Sequence, residues 1–245
     1  MIRQALVLAA GFGGRLVPNG VGPPKSLTNV AGVPLLSRVL EGLEAIGIES
    51  ARVVLGHRGD EIENFFRATL FRRLQVSWLS GADPNRSNGI SVLHARAVMR
   101  EPFLLVMGDH LAEEKVLGRL AATKLGADAS ILCVDRQWAR VFDLEEATKV
   151  KLEGDRIVAI GKQLAEFDAV DTGFFACSPM LFDALTASMR AGDCSLSDGI
   201  RELARRRLVR ALDVGAASWI DIDTPEILRQ AETLIAAGRF SLPNR

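Results

Sequence analysis

A glycine-rich segment and two basic residues near the start of the chain have the residue types that bind phosphate groups. The segment follows a short apolar run and ends at Arg15, and Lys25 follows it in a Pro-Lys pair. Ligands of open α/β sheets bind outside the carboxyl ends of the strands, where glycines let backbone N–H groups approach phosphate oxygens. We therefore expect a nucleoside triphosphate site, to which Arg15 and Lys25 add positive charge. The residues expected to line it are Ala9, Ala10, Gly11, Gly13 and Gly14.

Two common phosphate-binding motifs do not fit this segment. The dinucleotide-binding motif needs a third glycine where Leu16 stands, and an acidic residue where Gly56 and His57 end the second predicted strand. Pro24-Lys25-Ser26 imitates the end of a P-loop, but proline lacks the N–H group that this motif uses, and no glycine loop has the right spacing to it. A structural turn with an exposed arginine and lysine is the alternative to a phosphate site.

Acidic residues follow two apolar runs that lie far apart in the sequence. Asp109 comes just after Phe103–Met107, whereas Asp221 and Asp223 come late in the chain. Two carboxylates that meet at the edge of a sheet suit Mg²⁺, because this ion keeps several water molecules and also binds phosphate oxygens. We expect Asp109 and Asp221 to bind Mg²⁺, with Asp223 as the other candidate ligand. Asp223 could instead cap the helix that starts at Pro225.

Alternating apolar runs and helical patterns indicate how these residues are positioned. Ile2–Ala9 is a continuous apolar run, as in a strand buried on both faces, and Leu35–Ile46 has apolar residues at helical spacing. Strands that alternate with helices imply right-handed crossovers and a mostly parallel sheet. The turn residues Glu153–Asp155 predict a later β-hairpin. We expect one α/β domain over residues 1–245, with this hairpin as a small lobe for a second substrate, the acceptor.

The pattern places the predicted elements as follows. The strands are Ile2–Ala9, Arg52–Leu55, Leu74–Leu79, Phe103–Met107, Ala129–Val134, Thr148–Leu152, Arg156–Ile160, Val170–Ala176, Val209–Val214 and Ser218–Ile222. The helices are Leu35–Ile46, Asp60–Leu70, Ile90–Met99, Pro179–Met189, Ser197–Arg207 and Pro225–Ala237.

Composition argues against several classes of protein. Lys plus Arg number 30 and Asp plus Glu number 30, so the formal net charge is zero and a broad basic surface for nucleic acid is not expected. Cys133, Cys177 and Cys194 are far apart and odd in number, which disfavours disulfides and zinc and fits a cytoplasmic protein. No apolar run approaches the roughly 20 residues of a membrane helix, so we expect no membrane segment.

The glycine-rich segment and Lys25 together resemble the nucleotide-binding signature of the sugar-phosphate nucleotidylyltransferases. The matching pattern is Ala-Ala-Gly-x-Gly-x-Arg followed by Pro-Lys, with Gly14 where the family usually has Thr or Ser. The resemblance implies a Rossmann-like three-layer sheet of the nucleotide-diphospho-sugar transferase type. It also implies that Asp109 and Asp221 are the metal ligands. Related choline-phosphate enzymes make Asp223 the alternative, and only one of Asp221 and Asp223 need face the metal.

Asn88 and Gly89 resemble the family segment that lines the nucleobase and opens a helix beside it. Amide and hydroxyl groups in this segment, Ser87–Ser91, could pair with the edge of a base. An ordinary helix start with a good N-cap residue would have the same sequence, so this interpretation competes with a purely structural one.

Later segments resemble the acceptor site of one branch of the family, the inositol-1-phosphate cytidylyltransferases. The resemblance places the acceptor phosphate at Lys162. Lysines suit a phosphate group, and carboxylates suit vicinal hydroxyl groups. A solvated hairpin face is the alternative for Lys149 and Lys162. The residues expected to bind the acceptor are His110, Lys149, Lys162, Asp171, Thr172 and Gly173.

The resemblance implies transfer of CMP from CTP to inositol 1-phosphate with release of pyrophosphate. The catalytic residues would be Arg15, Lys25, Asp109 and Lys162. Another sugar 1-phosphate, phosphocholine or a phosphonate is the alternative acceptor, although the chain has no Tyr and three Trp to build a cage for a quaternary ammonium. A nucleotide-binding module without catalysis is the alternative from another class. The oligomeric state stays open.

Overall fold

The computed structural model describes residues 1–17, 21–69 and 71–243. The strands of this part are β1 (Gln4–Ala9), β2 (Asn29–Val30), β3 (Val33–Pro34), β4 (Ser50–Leu55), β5 (Gln75–Leu79), β6 (Phe103–Met107), β7 (His110–Ala112), β8 (Ser130–Asp135), β9 (Lys149–Glu153), β10 (Arg156–Gly161), β11 (Ala169–Cys177), β12 (Val209–Asp213) and β13 (Trp219–Asp221). The helices are α1 (Leu35–Ala45), α2 (Gly59–Phe66), α3 (Asn88–His94), α4 (Glu114–Ala122), α5 (Met180–Ser188), α6 (Leu196–Arg205) and α7 (Pro225–Ala236). Within these residues, no helix is both long and apolar enough to cross a membrane.

Nine of the described strands form one sheet in the order β5-β4-β1-β6-β11-β8-β12-β10-β9. The four adjacent strands β5, β4, β1 and β6 run parallel to one another, and β8 runs parallel to β12. β11 runs antiparallel to β6 and β8, and β10 runs antiparallel to β12 and β9. The α/β class is confirmed. Parallel pairing is less extensive than the alternating pattern implied, because β11 inserts between β6 and β8.

Two apolar cores cover the two faces of the sheet. In β1, Ala5 and Val7 belong to the core that includes α1 and α4, whereas Leu6 and Leu8 belong to the core that includes α5 and α6. All four side chains are buried. Successive side chains of a strand point to opposite faces, so a strand covered on both sides is apolar throughout. This burial explains the continuous apolar run and gives the expected three-layer architecture.

Most predicted elements exist, with ends that differ from the prediction. The helix predicted from Ile90 begins earlier and ends at His94, where a turn follows. The helix predicted over 60–70 ends at Phe66, and position 70 lies outside the described residues, as do positions 18–20 of the glycine-rich loop. Helix α4 was not predicted, although its buried residues lie on one face; they are Val116, Leu117, Leu120 and Ala121.

A separate two-stranded sheet brings the two acidic segments together. β7 and β13 pair antiparallel, with Asp221 opposite His110. The backbone N–H of Ile222 also donates to the carbonyl of Asp109 at 2.9 Å. At the same edge, the N–H of Gly108 donates to the carbonyl of Leu8 at 2.9 Å, which ties the end of β6 to the end of β1. The glycine-rich loop and the acids therefore lie at one edge of the main sheet.

Candidate active site

The glycine-rich loop forms one wall of a cleft of about 230 Å³. Gly13 has a φ of +64°, and a Cβ atom there would lie 2.4 Å from the Cβ atom of Lys25. Only glycine permits both this conformation and this close approach. The residues that line the cleft are Leu8, Ala9, Gly11, Gly13, Gly14, Arg15, Lys25, Ser26, Gly108, Asp109 and Asp223. Ala10 supports the loop from behind instead, because it is buried and its carbonyl accepts the N–H of His57 at 3.2 Å.

Lys25 lies at the centre of a cluster of charged groups. Its Nζ atom donates to Asp109 Oδ2 at 2.6 Å and to Asp223 Oδ1, while Arg15 donates to the other oxygen of Asp223. Burial alone would lower the pKa of Lys25, but the aspartates around it, including Asp221, raise that pKa above its usual range. The Lys25 ammonium group is thus firmly charged. Burial opposes ionisation of Asp109, yet Lys25 and His110 hold its pKa well below the usual range.

Asp109, His110 and Asp221 form a second cluster beside Lys25, and their ligand atoms all lie within 4.8 Å of one another. His110 Nδ1 lies 2.7 Å from Asp109 Oδ1 and 3.6 Å from Asp221 Oδ1. Asp221 Oδ1 is buried and has no hydrogen-bond partner in the described part of the chain. An unpartnered buried carboxylate oxygen is costly, so this atom fits the role of a ligand for a cation.

The pKa values of these groups fit a site with an excess of negative charge, which a bound cation would neutralise. Burial, together with Asp109 and Asp223, raises the pKa of Asp221 to about 7, although His110 and Lys25 oppose the rise. Burial alone would lower the pKa of His110, but Asp221 and Asp109 raise it to about 9. The two carboxylates offer the oxygen ligands that Mg²⁺ prefers, whereas His110 could bind a metal ion only after losing the proton that its raised pKa favours.

The structure separates the roles of the two late aspartates. Asp221 belongs to the cluster with Asp109, whereas Asp223 is paired with Lys25 and Arg15. The side chain of Thr224, not that of Asp223, caps α7, because its hydroxyl accepts the N–H of Ile227.

A larger cavity of about 580 Å³ adjoins the cleft and shares Arg15, Asp109 and Asp223 with it. The predicted residues that line it also include Asn88, His110, Lys162, Asp171 and Gly173. Lining residues that the sequence did not single out include Asp135, Arg140, Asp143, Trp219 and Arg239. Asp135 is the last residue of β8, and Asp109 likewise lies close to the end of β6. This position at a strand end was the one sequence signal that could have indicated Asp135. The loop that holds Arg140 and Asp143 has no such pattern.

Asp171 and Lys162 both line this cavity, but their surroundings differ. Burial raises the pKa of Asp171 to about 6, against the N–H of Gly173, which donates to Asp171 Oδ1 at 2.7 Å. Lys162 is about half exposed and donates to Glu146 Oε2 at 2.8 Å. The cavity therefore combines a half-exposed lysine with carboxylates that can accept hydrogen bonds from hydroxyl groups.

Other predicted acceptor and nucleobase residues have structural contacts. Lys149 is buried and donates to the carbonyl of Glu145 at 2.7 Å. Thr172 is fully buried, and its hydroxyl donates to the carbonyl of Cys133 at 2.8 Å. Neither side chain is among the residues that line the two cavities. For both residues, the contacts correct the expected placement in the acceptor site.

Asn88 and Gly89 join two helices. Asn88 Oδ1 accepts the N–H of Leu196 at 2.8 Å, and a Cβ atom at Gly89 would lie 2.5 Å from the carbonyl oxygen of Cys194. Ser87 stands at the N-cap position of α3, but its side chain makes no cap hydrogen bond and donates to Asp193 Oδ2 instead. Asn88 thus lines the larger cavity while it holds the start of α6.

Known proteins share this sequence pattern and this fold. A family model described as the MobA-like NTP transferase domain matches residues 5–213. A protein of Rubrobacter xylanophilus, named bifunctional IPC transferase and DIPP synthase, is 38% identical over 94% of the chain and 51% of its own length. A protein of the same name from Aquifex aeolicus is 30% identical over 95% of the chain and 51% of its own length. The chain thus spans about half the length of these curated relatives.

A solved structure has the same architecture. The inositol-1-phosphate CTP transferase from T. maritima superimposes with a TM-score of 0.80 over 97% of each chain, at 24% identity. The nucleotide-diphospho-sugar transferase fold is therefore confirmed.

Proposed function

The chain belongs to the family of MobA-like NTP transferase domains, and from this premise we propose that residues 1–245 act as one cytidylyltransferase domain. It transfers CMP from CTP to inositol 1-phosphate, with CDP-inositol and pyrophosphate as products. One observation carries the proposal: the glycine-lined cleft and the larger cavity share Arg15, Asp109 and Asp223 as a common wall. A triphosphate in the cleft would place its α-phosphate next to an acceptor in the cavity.

The choice of substrates draws support from relatives. Two proteins that are at least 30% identical carry IPC transferase activity in their names, and the similar solved structure is an inositol-1-phosphate CTP transferase. Asp143, Glu146 and Asp171 line the cavity and suit the many hydroxyl groups of inositol. Preference for CTP rests on the relatives alone.

The transfer needs no general base. A phosphate monoester has its second pKa near ~6, so the acceptor is already largely a dianion at neutral pH. The residues therefore have to position the two phosphates and neutralise their charge. We assign Lys162 to the acceptor phosphate, because it is the lysine at the rim of the larger cavity.

Arg15 and Lys25 bind the triphosphate in this proposal. Both are now paired with Asp223, and these ion pairs must loosen when phosphate oxygens take the place of the carboxylate. The N–H groups of the glycine-rich loop would hold further oxygens, because Gly11, Gly13 and Gly14 line the cleft. The leaving pyrophosphate would remain against these groups.

Asp109 and Asp221 would hold Mg²⁺, and the orphaned oxygen of Asp221 supports this assignment. When bound, the ion would neutralise charge on the reacting phosphates. Asp223 is the other candidate ligand, because both of its oxygens already accept hydrogen bonds from cations, Oδ1 from Lys25 and Oδ2 from Arg15.

A substrate matrix tests the function. Each of the four common nucleoside triphosphates is combined with inositol 1-phosphate, glucose 1-phosphate, phosphocholine and a phosphonate in the presence of Mg²⁺, and pyrophosphate release is measured. CTP with inositol 1-phosphate should give the highest kcat/KM. A different best pair would refute the assignment of substrates. Nucleotide binding by calorimetry without pyrophosphate release from any pair would favour a binding module instead.

A further inference from the structure

Asp135 ends β8 as a wholly buried carboxylate. Its Oδ2 atom accepts hydrogen bonds from Trp219 Nε1 at 2.8 Å and from Arg140 Nε at 2.9 Å, and its Oδ1 atom accepts the N–H of Gln137 at 2.8 Å. A buried charge is tolerated only when it is paired and hydrogen-bonded, and three donors meet that need here. The carboxylate is therefore a fixed junction.

The junction joins the acceptor side of the site to the metal side. Arg140 lies in the loop after β8, which also supplies Asp143 to the larger cavity. Its NH2 atom donates to the carbonyl oxygens of Gly215 at 2.9 Å and Ala217 at 3.0 Å, in the segment that leads into β13. Asp135 thus fixes both this loop and β13 to the end of β8.

Trp219 carries the effect of Asp135 to the candidate metal ligands. Its indole ring stacks on the ring of His110, with centroids 6.3 Å apart and an interplanar angle of 17°. Trp219 belongs to the same short strand as Asp221, which is paired with His110 across the two-stranded sheet. An indole that is free to rotate would release the imidazole that lies between Asp109 and Asp221.

We propose that Asp135 is a positioning residue for nucleotidyl transfer: it holds Trp219, and through it His110 and Asp221, in the arrangement that binds the divalent metal ion. The kinetic test of this proposal rests on the proposed function, whereas the test by Mg²⁺ binding does not. Groups that orient metal ligands typically contribute about 10–100-fold to metal affinity or activity.

Asp128, two residues before the start of β8, offers a matched control. Asp128 is also buried and also pairs with two donors, here the guanidinium groups of Arg156 and Arg210. It lines neither of the two cavities described above. Asp128→Asn weakens a buried junction just before β8 and Asp135→Asn weakens one at its end, so both should lower the free energy of unfolding. Only Asp135→Asn should affect the metal ligands.

The experiment measures metal binding and kinetics on the same variants. The indole N–H resonance of Trp219, identified by its loss in Trp219→Phe, reports the junction by NMR, and calorimetry gives the affinity for Mg²⁺ alone. Asp135→Asn should shift this resonance in the free protein and weaken Mg²⁺ binding about tenfold. It should lower kcat by a similar factor and change the KM for CTP less than about twofold, and Asp128→Asn should change none of these values.

Several results would overturn the proposal. One is a folded Asp135→Asn protein with Mg²⁺ affinity and kcat within about twofold of the native values. Another is an equal loss in Asp128→Asn, and a third is a native protein that does not bind Mg²⁺. If Asp135→Asn does not fold, Trp219→Phe keeps a ring over His110 without the N–H group, and normal Mg²⁺ affinity in that variant would refute the proposal. If the native protein transfers no nucleotide, the proposed function fails, but the Mg²⁺ titrations still decide the role of Asp135.

Discussion

Replacement of Lys25 by Met tests whether its buried ammonium group serves the nucleotide or only the fold. The Nζ atom lies between Asp109 and Asp223, 2.6 Å from Asp109 Oδ2, and the side chain is only 11% exposed. Met keeps most of the aliphatic stem, so the change removes the charge with little loss of packing. Asp221 would then share its surroundings with two carboxylates that have lost their main cation.

The magnitudes follow from the pairing and the exposure. Removal of one partner from a buried ion pair costs about 3–5 kcal/mol. The carboxylates of Asp109 and Asp223 are 26% and 18% exposed, so we expect a loss of about 2 kcal/mol in the free energy of unfolding. Loss of one strong electrostatic contact in the transition state costs about 3 kcal/mol, which is roughly a hundredfold in kcat. Because Lys25 competes with a metal ion for Asp109, Mg²⁺ should bind the free variant more tightly than the native protein.

Urea unfolding with and without Mg²⁺, followed by pyrophosphate release, checks these values. The stability that Lys25→Met loses should be partly restored by Mg²⁺, while kcat stays about a hundredfold low. Lys151→Met is the control, because Lys151 Nζ lies 3.5 Å from Asp168 Oδ1 in an exposed pair worth less than about 1 kcal/mol. The reasoning is refuted if Lys25→Met keeps kcat within about threefold of the native value, or if Mg²⁺ binds it more weakly.

Two further substitutions test the acceptor side. The folded protein raises the pKa of Asp171 from 3.8 to about 6, so the folded state binds this proton more tightly, and stability falls as the pH rises from about 4 to about 6. Asp171→Asn should therefore raise the free energy of unfolding by about 3 kcal/mol at about pH 8 and by nothing near pH 4, while it weakens acceptor binding; an equal gain at both pH values in urea titrations would contradict this. Gly173→Ala places a Cβ atom 2.4 Å from His110 Cδ2 at a φ of +78°. Gly154→Ala is strained only by its φ of +66°, because no atom lies within 4 Å of the added Cβ. The first should lose at least about 1 kcal/mol more than the second in thermal unfolding, together with most of its activity, and equal losses would show that His110 moves freely.

The positions of the candidate nucleotide-binding residues could be predicted because they follow from local pattern. A buried strand is apolar throughout, so its end is visible where Gly11 or Asp109 interrupts the apolar run. Since β1 and β6 are parallel neighbours, their ends meet at one edge of the sheet. Sequence alone could thus bring Lys25 and Asp109 into one site, and the structure pairs them directly.

The acceptor side could not be predicted in the same detail, because it depends on long-range register. Lys149 pairs with Gly161 in one direction and with Val170 in the other, and its side chain is buried against the carbonyl of Glu145 instead of lining the cavity. An irregularity between Ile157 and Ala159 shifts the hairpin register, so alternation along the sequence does not tell which lysine faces the acceptor. Lys162, in the turn directly after β10, lines the larger cavity, whereas Lys149, at the start of β9, does not.

The separation of Asp221 from Asp223 likewise depends on contacts far along the chain. Asp223 is held by Arg15 and Lys25, which lie near the start of the sequence, whereas Asp221 is fixed by its pairing with His110. No local pattern distinguishes two aspartates that are separated by one residue. The junction at Asp135 has the same origin, since Trp219 and Arg140 reach it from two different segments.

Asp109 joins the cleft, the larger cavity and the metal cluster, so its substitution tests the central claim most directly. Pyrophosphate release from CTP and inositol 1-phosphate, at saturating Mg²⁺, should fall about a thousandfold in Asp109→Asn, while circular dichroism shows a folded protein. A folded Asp109→Asn protein with near-native turnover would contradict the placement of phosphate transfer at this wall.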